Sequence, residues 1–195
     1  MKQLAENYLK DALESFRSYK NLAEKAMTQA SDEEFFRVID AEANSIAVIV
    51  KHLAGNLRSR WTEFLTTDGE KPDRNRDTEF ELITETRDEL MQFWESGWQV
   101  LFDSLESLSA KDLEKTVRIR GENFSVVKAV SRALSHTAYH IGQITLLAKH
   151  FRSSAWQSLS IPKNKSAQFN NWLNEKEDKG NYLEASGEFV EKNLK

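Results

Sequence analysis

The sequence contains no cysteine, and it has only two prolines and seven glycines among 195 residues. Without cysteine, the chain can form no disulfide, no thiolate metal site and no cysteine nucleophile. Strand-rich folds need many tight turns, so the shortage of glycine and proline favours a few long helices. The longest apolar run covers residues 46–50, whereas a membrane span needs roughly 20 residues. These absences predict an all-α protein that does not cross a membrane.

A surplus of positive charge is also missing. The chain carries 27 Lys and Arg residues against 31 Asp and Glu residues, which gives a formal net charge of −4. Proteins that bind nucleic acids concentrate Lys and Arg against the phosphates, so we expect no nucleic-acid partner. The N-terminal residues are interrupted by charges and lack the apolar region of a signal peptide. Together with the absence of cysteine, this predicts a cytoplasmic location.

Apolar residues recur every three or four positions along most of the chain. This spacing predicts four long helices, near residues 2–29, 32–65, 78–108 and 125–151. The second and third helices are each opened by a capping box, Ser31 with Glu34 and Thr78 with Glu81. Ser125 is expected to cap the fourth helix. Residues 66–77 are predicted to form a polar loop, and residues 109–125 a helical turn with a short extended piece.

The predicted architecture is a four-helix bundle over residues 1–155, followed by a C-terminal extension over residues 156–195. In the extension the apolar spacing is looser. We expect it to wrap the bundle as a strap, with a short helix from Ser166 and a frayed tail over about the last dozen residues. The long connections after the second and third helices permit crossovers, because simple bundles use loops of about two to eight residues.

Three of the four histidines lie within the most apolar predicted helices. His136 and His140 are four residues apart, so they project from one face of a helix, and His52 can face them across the bundle. Because burying an unpaired imidazole is costly, two interpretations remain open. Either each histidine is hydrogen-bonded within the core, or the three together hold a divalent ion. His150, in the last turn of its helix, is given no ligand role.

The residues around the paired histidines restrict the kind of metal chemistry. Thr137 follows His136, whereas a zincin helix carries a glutamate at that position as its general base. The inward-facing Glu-x-x-His pairs of di-iron bundles are absent as well. A mononuclear site with up to three imidazoles remains, with an open position for water or substrate. Such a site can lower the pKa of bound water towards about 7 or bind a thiolate.

Four polar side chains lie near these histidines on the same predicted helices: Asn56, Arg60, Arg132 and Gln143. The two amides can orient ligands or substrate. The two arginines can hold a carboxylate of the substrate, or they can extend to solvent. The loop arginines Arg74 and Arg76 are interpreted as solvated charges paired with neighbouring aspartates. Gly55 and Gly142, each within a turn of a candidate ligand, predict close helix approach.

A family resemblance is carried by two stretches, LSHTAYHIGQITLLAKH in the predicted fourth helix and VKHLAGNLRSRW in the second. They resemble the DinB-like superfamily of four-helix metalloproteins. The segments TTDGEKPDRNRD and LSIPK are similar to one bacterial subgroup of it, and the resemblance covers roughly residues 1–175. It implies an up-down-down-up bundle in which His52, His136 and His140 hold a divalent ion, zinc or nickel.

The resemblance also implies a choice of functions. Some relatives are thiol S-transferases that use bacillithiol, mycothiol or glutathione, and others are maleylpyruvate isomerases. A metal-dependent transferase of a low-molecular-weight thiol, acting on a small-molecule substrate, is therefore expected. A homodimer is implied by the same analogy. The alternatives are a non-catalytic, metal-stabilised binding or stress-response module and a metal-dependent hydrolase. In the transferase, Arg60 is expected to bind an acidic group of the thiol.

Overall fold

The structure is a computed structural model that describes residues 2–178, 180 and 182–193. Contacts divide the chain into two compact units, Met1–Phe151 and Arg152–Lys195. The helices of the described residues are α1 Lys2–Gln29, α2 Asp32–Phe36, α3 Ile46–Trp61, α4 Arg87–Glu106, α5 Val126–Arg152, α6 Ser166–Glu175 and α7 Tyr182–Asn193. The described strands are β1 Thr116–Ile119 and β2 Glu122–Ser125. The predicted all-α class is confirmed. None of the described helices combines the length and hydropathy that a membrane span requires.

The four long helices of the first unit, α1, α3, α4 and α5, form the bundle. Arg87, at the start of α4, donates to the carbonyl oxygen of Met27 near the end of α1 at 2.7 Å, so these two helices are antiparallel. The C-terminal ends of α3 and α4 line one cavity, so those helices run parallel. The Tyr8 hydroxyl donates to the carbonyl oxygen of Val127 at 2.9 Å, which puts the beginnings of α1 and α5 together. The order is therefore up-down-down-up.

The predicted second helix is wrong in its middle. The chain leaves the helical conformation after Phe36, because Arg37 is extended with ψ of 140°, and α3 begins only at Ile46. Ser45 provides the physical reason, since its side chain accepts the backbone N–H of the third residue of α3 as a second N-cap. Ile39, which the apolar pattern includes in the buried stripe, is 49% exposed.

The predicted start of the third helix is also wrong. Residues Asp77–Phe80 form a single 3₁₀ turn. Helix α4 begins only at Arg87, behind a capping box of Thr86 and Glu89 that lies eight residues beyond Thr78. The two boxes have the same local pattern, so tertiary structure decides between them. Because α3 and α4 are parallel, the chain must return along the bundle between them. We name this segment, residues 62–86, the crossover.

The extended piece predicted before the fourth helix is confirmed as a β-hairpin. Its two strands are antiparallel, with Ile119 paired to Glu122. Arg120 and Gly121 both have positive φ, 53° and 78°, as the two central residues of a tight hairpin turn require. Asp68 of the crossover accepts the backbone N–H groups of both turn residues at 2.8 Å, so the hairpin anchors the crossover. Ser125 caps α5 as predicted, through a 3.1 Å hydrogen bond from the N–H of Lys128.

The second unit contains α6 and α7. The helix expected from Ser166 is confirmed as α6. Helix α7 spans most of the residues expected to be frayed, because Ala185 and Phe189 pack against Phe169 of α6 in a small apolar core. Residues 194 and 195 of the predicted tail lie outside the described residues. The course of this unit along the bundle stays a prediction.

Candidate metal centre

Three histidine side chains of the first unit meet between α3 and α5. His52 lies in the second turn of α3, and His136 and His140 lie one turn apart in the middle of α5. His52 is 4% exposed and His140 is 9% exposed, whereas His136 is half-buried. One ring nitrogen from each histidine lies within 4.8 Å of the others. The sequence-based expectation that these three residues converge is therefore confirmed.

Neighbouring side chains orient two of the three rings. Nδ1 of His52 lies 2.8 Å from Oε2 of Glu79, and Nδ1 of His140 lies 2.8 Å from Oε1 of Gln143. A carboxylate and an amide oxygen both accept hydrogen bonds, so each Nδ1 carries the ring hydrogen and donates it. In a neutral imidazole the other nitrogen, Nε2, then keeps its lone pair. Both histidines thus hold Nε2 ready to act as a ligand atom.

The spacing of the nitrogens fits a common ion. Nε2 of His52 lies 3.4 Å from Nε2 of His136. Two Zn–N bonds of about 2.1 Å that meet at a tetrahedral angle separate their nitrogens by about 3.4 Å. An all-imidazole donor set suits zinc, nickel, copper and iron better than magnesium or calcium, which prefer oxygen. The donors and their distances therefore fit a transition-metal dication.

The charge state of the histidines also suits metal binding. Burial is the main cause that lowers the pKa of His136 to about 3, and the neighbouring His140, His52, Arg132 and Arg60 contribute to the same shift. Burial lowers the pKa of His140 as well, against the hydrogen bond with Gln143. Both imidazoles are therefore neutral at pH 7, and their lone pairs are free of protons.

The crossover contributes a carboxylate that the sequence-based analysis missed. Glu79 is 6% exposed, and it lies between His52 and Arg74. Arg74 donates from Nε to Oε1 at 2.7 Å and from Nη2 to Oε2 at 2.8 Å. Burial raises the pKa of Glu79, but hydrogen bonds from His52 and Arg74 outweigh it and leave the pKa below its ordinary value. The group is therefore an anion beside His52.

Arg74 itself corrects the sequence-based interpretation. The sequence predicts a solvated loop charge paired with a neighbouring aspartate, but the side chain of Arg74 is only 5% exposed and is paired with Glu79 and Glu70. The reason is tertiary. The crossover folds back over α3, so this loop arginine is enclosed between two carboxylates. A buried ion pair of this kind is held by geometry that no local sequence pattern records.

The two glycines singled out from the sequence behave differently. A Cβ on Gly55 would lie 2.9 Å from Cδ of Glu79, so this glycine does permit a close approach, although the partner is a carboxylate and not a helix. At Gly142 no described atom lies within 4 Å of such a Cβ. The predicted close approach at Gly142 is therefore wrong.

Comparison with protein families shows which family the chain belongs to. A family model described as "Protein of unknown function (DUF1572)" matches residues 3–165. The chain belongs to the DUF1572 family. The match covers the whole bundle, the crossover and the hairpin, and hence every residue of the candidate centre. Comparison with curated proteins and with solved structures finds no match.

The four polar residues expected around the site of this DUF1572 chain have different roles in the structure. Gln143 orients His140, as expected, and Asn56 is half-buried one turn after His52. Arg132 is exposed one turn before His136. Arg60 neither extends to solvent nor stands free. It is 7% exposed, and its Nη1 contacts the Gly69 carbonyl oxygen and the Glu70 carboxylate.

Proposed function

We propose that this DUF1572 protein is a DinB-like metalloprotein that binds one divalent cation, zinc or nickel, through His52, His136 and His140. The observation that carries this proposal is the convergence of three ring nitrogens within 4.8 Å. The resemblance of the surrounding residues to DinB-like proteins supports the same conclusion. The alternative of hydrogen-bonded core histidines accounts less well for the arrangement, since a dication uses all three lone pairs at once.

For the activity, we propose a metal-dependent transferase of a low-molecular-weight thiol of the bacillithiol or glutathione type. Three protein ligands leave a coordination position open for a small molecule, and the half-buried His136 marks the accessible side of the site. A divalent ion held here supplies Lewis-acid chemistry that favours the thiolate over the thiol. The transferred thiol comes from the cofactor, so a chain without cysteine meets the requirement.

The structure changes which arginine is proposed to bind the acidic group of the thiol. Arg60 already contacts Glu70 at 2.7 Å through Nη1, so its fork is partly occupied. Arg132 is exposed, and one helical turn separates it from His136 on the same face of α5. A guanidinium group in that place can receive a carboxylate through paired donors. We therefore assign the recognition of the carboxylate to Arg132.

Metal analysis tests the site. The protein is purified without chelators and without a histidine tag, and its metal content is measured by mass spectrometry beside that of two variants. We expect about one zinc or nickel ion per chain in the unmutated protein and in His150→Ala, and a large loss in His136→Ala. His150 lies on the same helix but outside the cluster, so it is a matched control. Equal contents in all three proteins would defeat the proposal.

Calorimetry separates the transferase from the non-catalytic module. Bacillithiol and glutathione are titrated into the metal-loaded protein, and thermal unfolding is recorded with and without metal. Binding of one thiol only when metal is present supports the transferase. A strong fall in melting temperature on metal removal, with no binding of either thiol, supports the module, in which the ion merely links α3 to α5.

A further inference from the structure

We propose that Glu79 is a positioning residue, which the crossover delivers to His52 to hold that histidine as the tautomer with a free Nε2. The functional consequence, tighter metal binding, rests on the proposed metal site. The selection of the tautomer, however, is a property of the chain alone. It can therefore be measured in the metal-free protein, whether or not an ion ever binds.

The contact geometry supports a fixed orientation. Oε2 of Glu79 accepts from Nδ1 of His52 at 2.8 Å and from Nη2 of Arg74 at 2.8 Å. Oε1 accepts from Nε of Arg74 at 2.7 Å. The planar fork of Arg74 thus sets the plane of the carboxylate, and the carboxylate sets the ring of His52. A carboxylate can only accept here, so it favours the hydrogen on Nδ1 over the hydrogen on Nε2.

Helix α3 leaves the space that this arrangement needs. Gly55 lies three residues after His52, and a Cβ added there would lie 2.9 Å from Cδ and 3.3 Å from Cγ of Glu79. These contacts are closer than side-chain carbons normally tolerate. An alanine at this position must therefore push the carboxylate away from His52. The glycine within the helix is explained by this approach of the crossover.

The crossover is held from its other side as well. Glu70 accepts from Arg60 at 2.7 Å, from Arg120 of the hairpin at 3.1 Å and from Arg74 at 3.3 Å. Arg74 therefore bridges Glu70 and Glu79, and its own position is fixed at both ends. The chain of contacts runs from the hairpin to the ring of His52. In metal proteins, such an outer carboxylate typically improves metal affinity by about 10–100-fold.

The test combines nuclear magnetic resonance with metal competition. In metal-free protein with ¹⁵N-labelled histidine, two-bond ¹H–¹⁵N spectra distinguish a protonated Nδ1 from a protonated Nε2. For the unmutated protein we expect His52 to be protonated at Nδ1. In Glu79→Ala and in Gly55→Ala we expect a rise in the share protonated at Nε2. Glu81→Ala is the matched control, because this exposed residue follows Glu79 by only two positions.

Zinc affinity, measured by competition with a chromogenic chelator, provides the second readout. We expect about 10–100-fold weaker binding in Glu79→Ala and no change in Glu81→Ala. An unchanged tautomer in both Glu79→Ala and Gly55→Ala would overturn the positioning role. If Glu79→Ala fails to fold, Gly55→Ala decides alone. A third outcome separates the two proposals. If the unmutated protein binds no metal, the metal site is refuted. If the variants nevertheless lose the Nδ1-protonated form of His52, the role of Glu79 is supported.

Discussion

Replacing Gly97 of α4 by alanine should destabilise the bundle relative to the same change at Gly142 of α5. A Cβ on Gly97 would lie 2.9 Å from the carbonyl oxygen and 3.0 Å from Cα of Ala54 on α3. Both atoms are backbone atoms of the parallel neighbour, so no side-chain rotation relieves the overlap and the two helices must separate. Overpacking of this kind costs about 1–3 kcal/mol. At Gly142 the added methyl group meets no described atom within 4 Å.

Comparing Gly97→Ala with Gly142→Ala isolates the steric cost of the methyl group at Gly97. Each substitution gains about 1 kcal/mol of helix propensity, so this gain cancels when the two variants are compared, and a difference of about 1–3 kcal/mol remains. Gly142→Ala alone should be stabilising by up to about 1 kcal/mol. Urea unfolding followed by tryptophan fluorescence measures the free energies of unfolding. Equal stabilisation by both substitutions would refute the close parallel packing of α3 against α4.

Further predictions concern the binding site, acid stability and assembly. In calorimetry, Arg132→Ala should weaken the binding of an acidic thiol about tenfold or more, with the metal content unchanged. Arg60→Ala should lower the melting temperature, because the substitution leaves the Glu70 carboxylate with one cation fewer. The Lys51 hydrogen bond holds the pKa of Glu85 at about 2, below its ordinary 4.5. The pair therefore stabilises the fold fully above about pH 4.5. The stability difference between unmutated protein and Glu85→Gln should shrink below that pH and vanish once the pH has fallen below about 2. The homodimer implied by the family resemblance should appear in sedimentation velocity as twice the 22.5 kDa chain mass, and a single 22.5 kDa species would contradict it.

The sequence predicts a helix correctly where its apolar spacing and its capping residues indicate the same boundaries as the structure. The stripe of α1 and the cap at Ser125 are both found, because an amphipathic face and an N-cap act over a few residues. The start of α4 could not be predicted in this way. Two capping boxes of equal quality, at Thr78 and Thr86, lie eight residues apart, and only the need for a crossover between parallel helices selects the second.

The residues of the candidate site also differ in how far the sequence predicts their positions. His136 and His140 could be paired from sequence because one helical turn separates them. The contact between Glu79 and His52 could not be predicted from the sequence, since Glu79 lies 27 residues from His52 in a loop without periodicity. The available signal was indirect, a glycine within α3 one turn from a candidate ligand. This glycine, Gly55, indicates that another group comes close to α3. Only the path of the crossover identifies that group as Glu79.

The pairing of the first and last bundle helices has a consequence for synthesis on the ribosome. Tyr8 donates to the carbonyl oxygen of Val127, 119 residues later in the chain. At about 5–20 residues per second, this partner follows after roughly 6–24 s. During that time the beginning of α1 has left the ribosome while the helix it packs against is still being made. Its apolar side chains, Leu9 and Ala12 among them, are then open to chaperones and to neighbouring nascent chains.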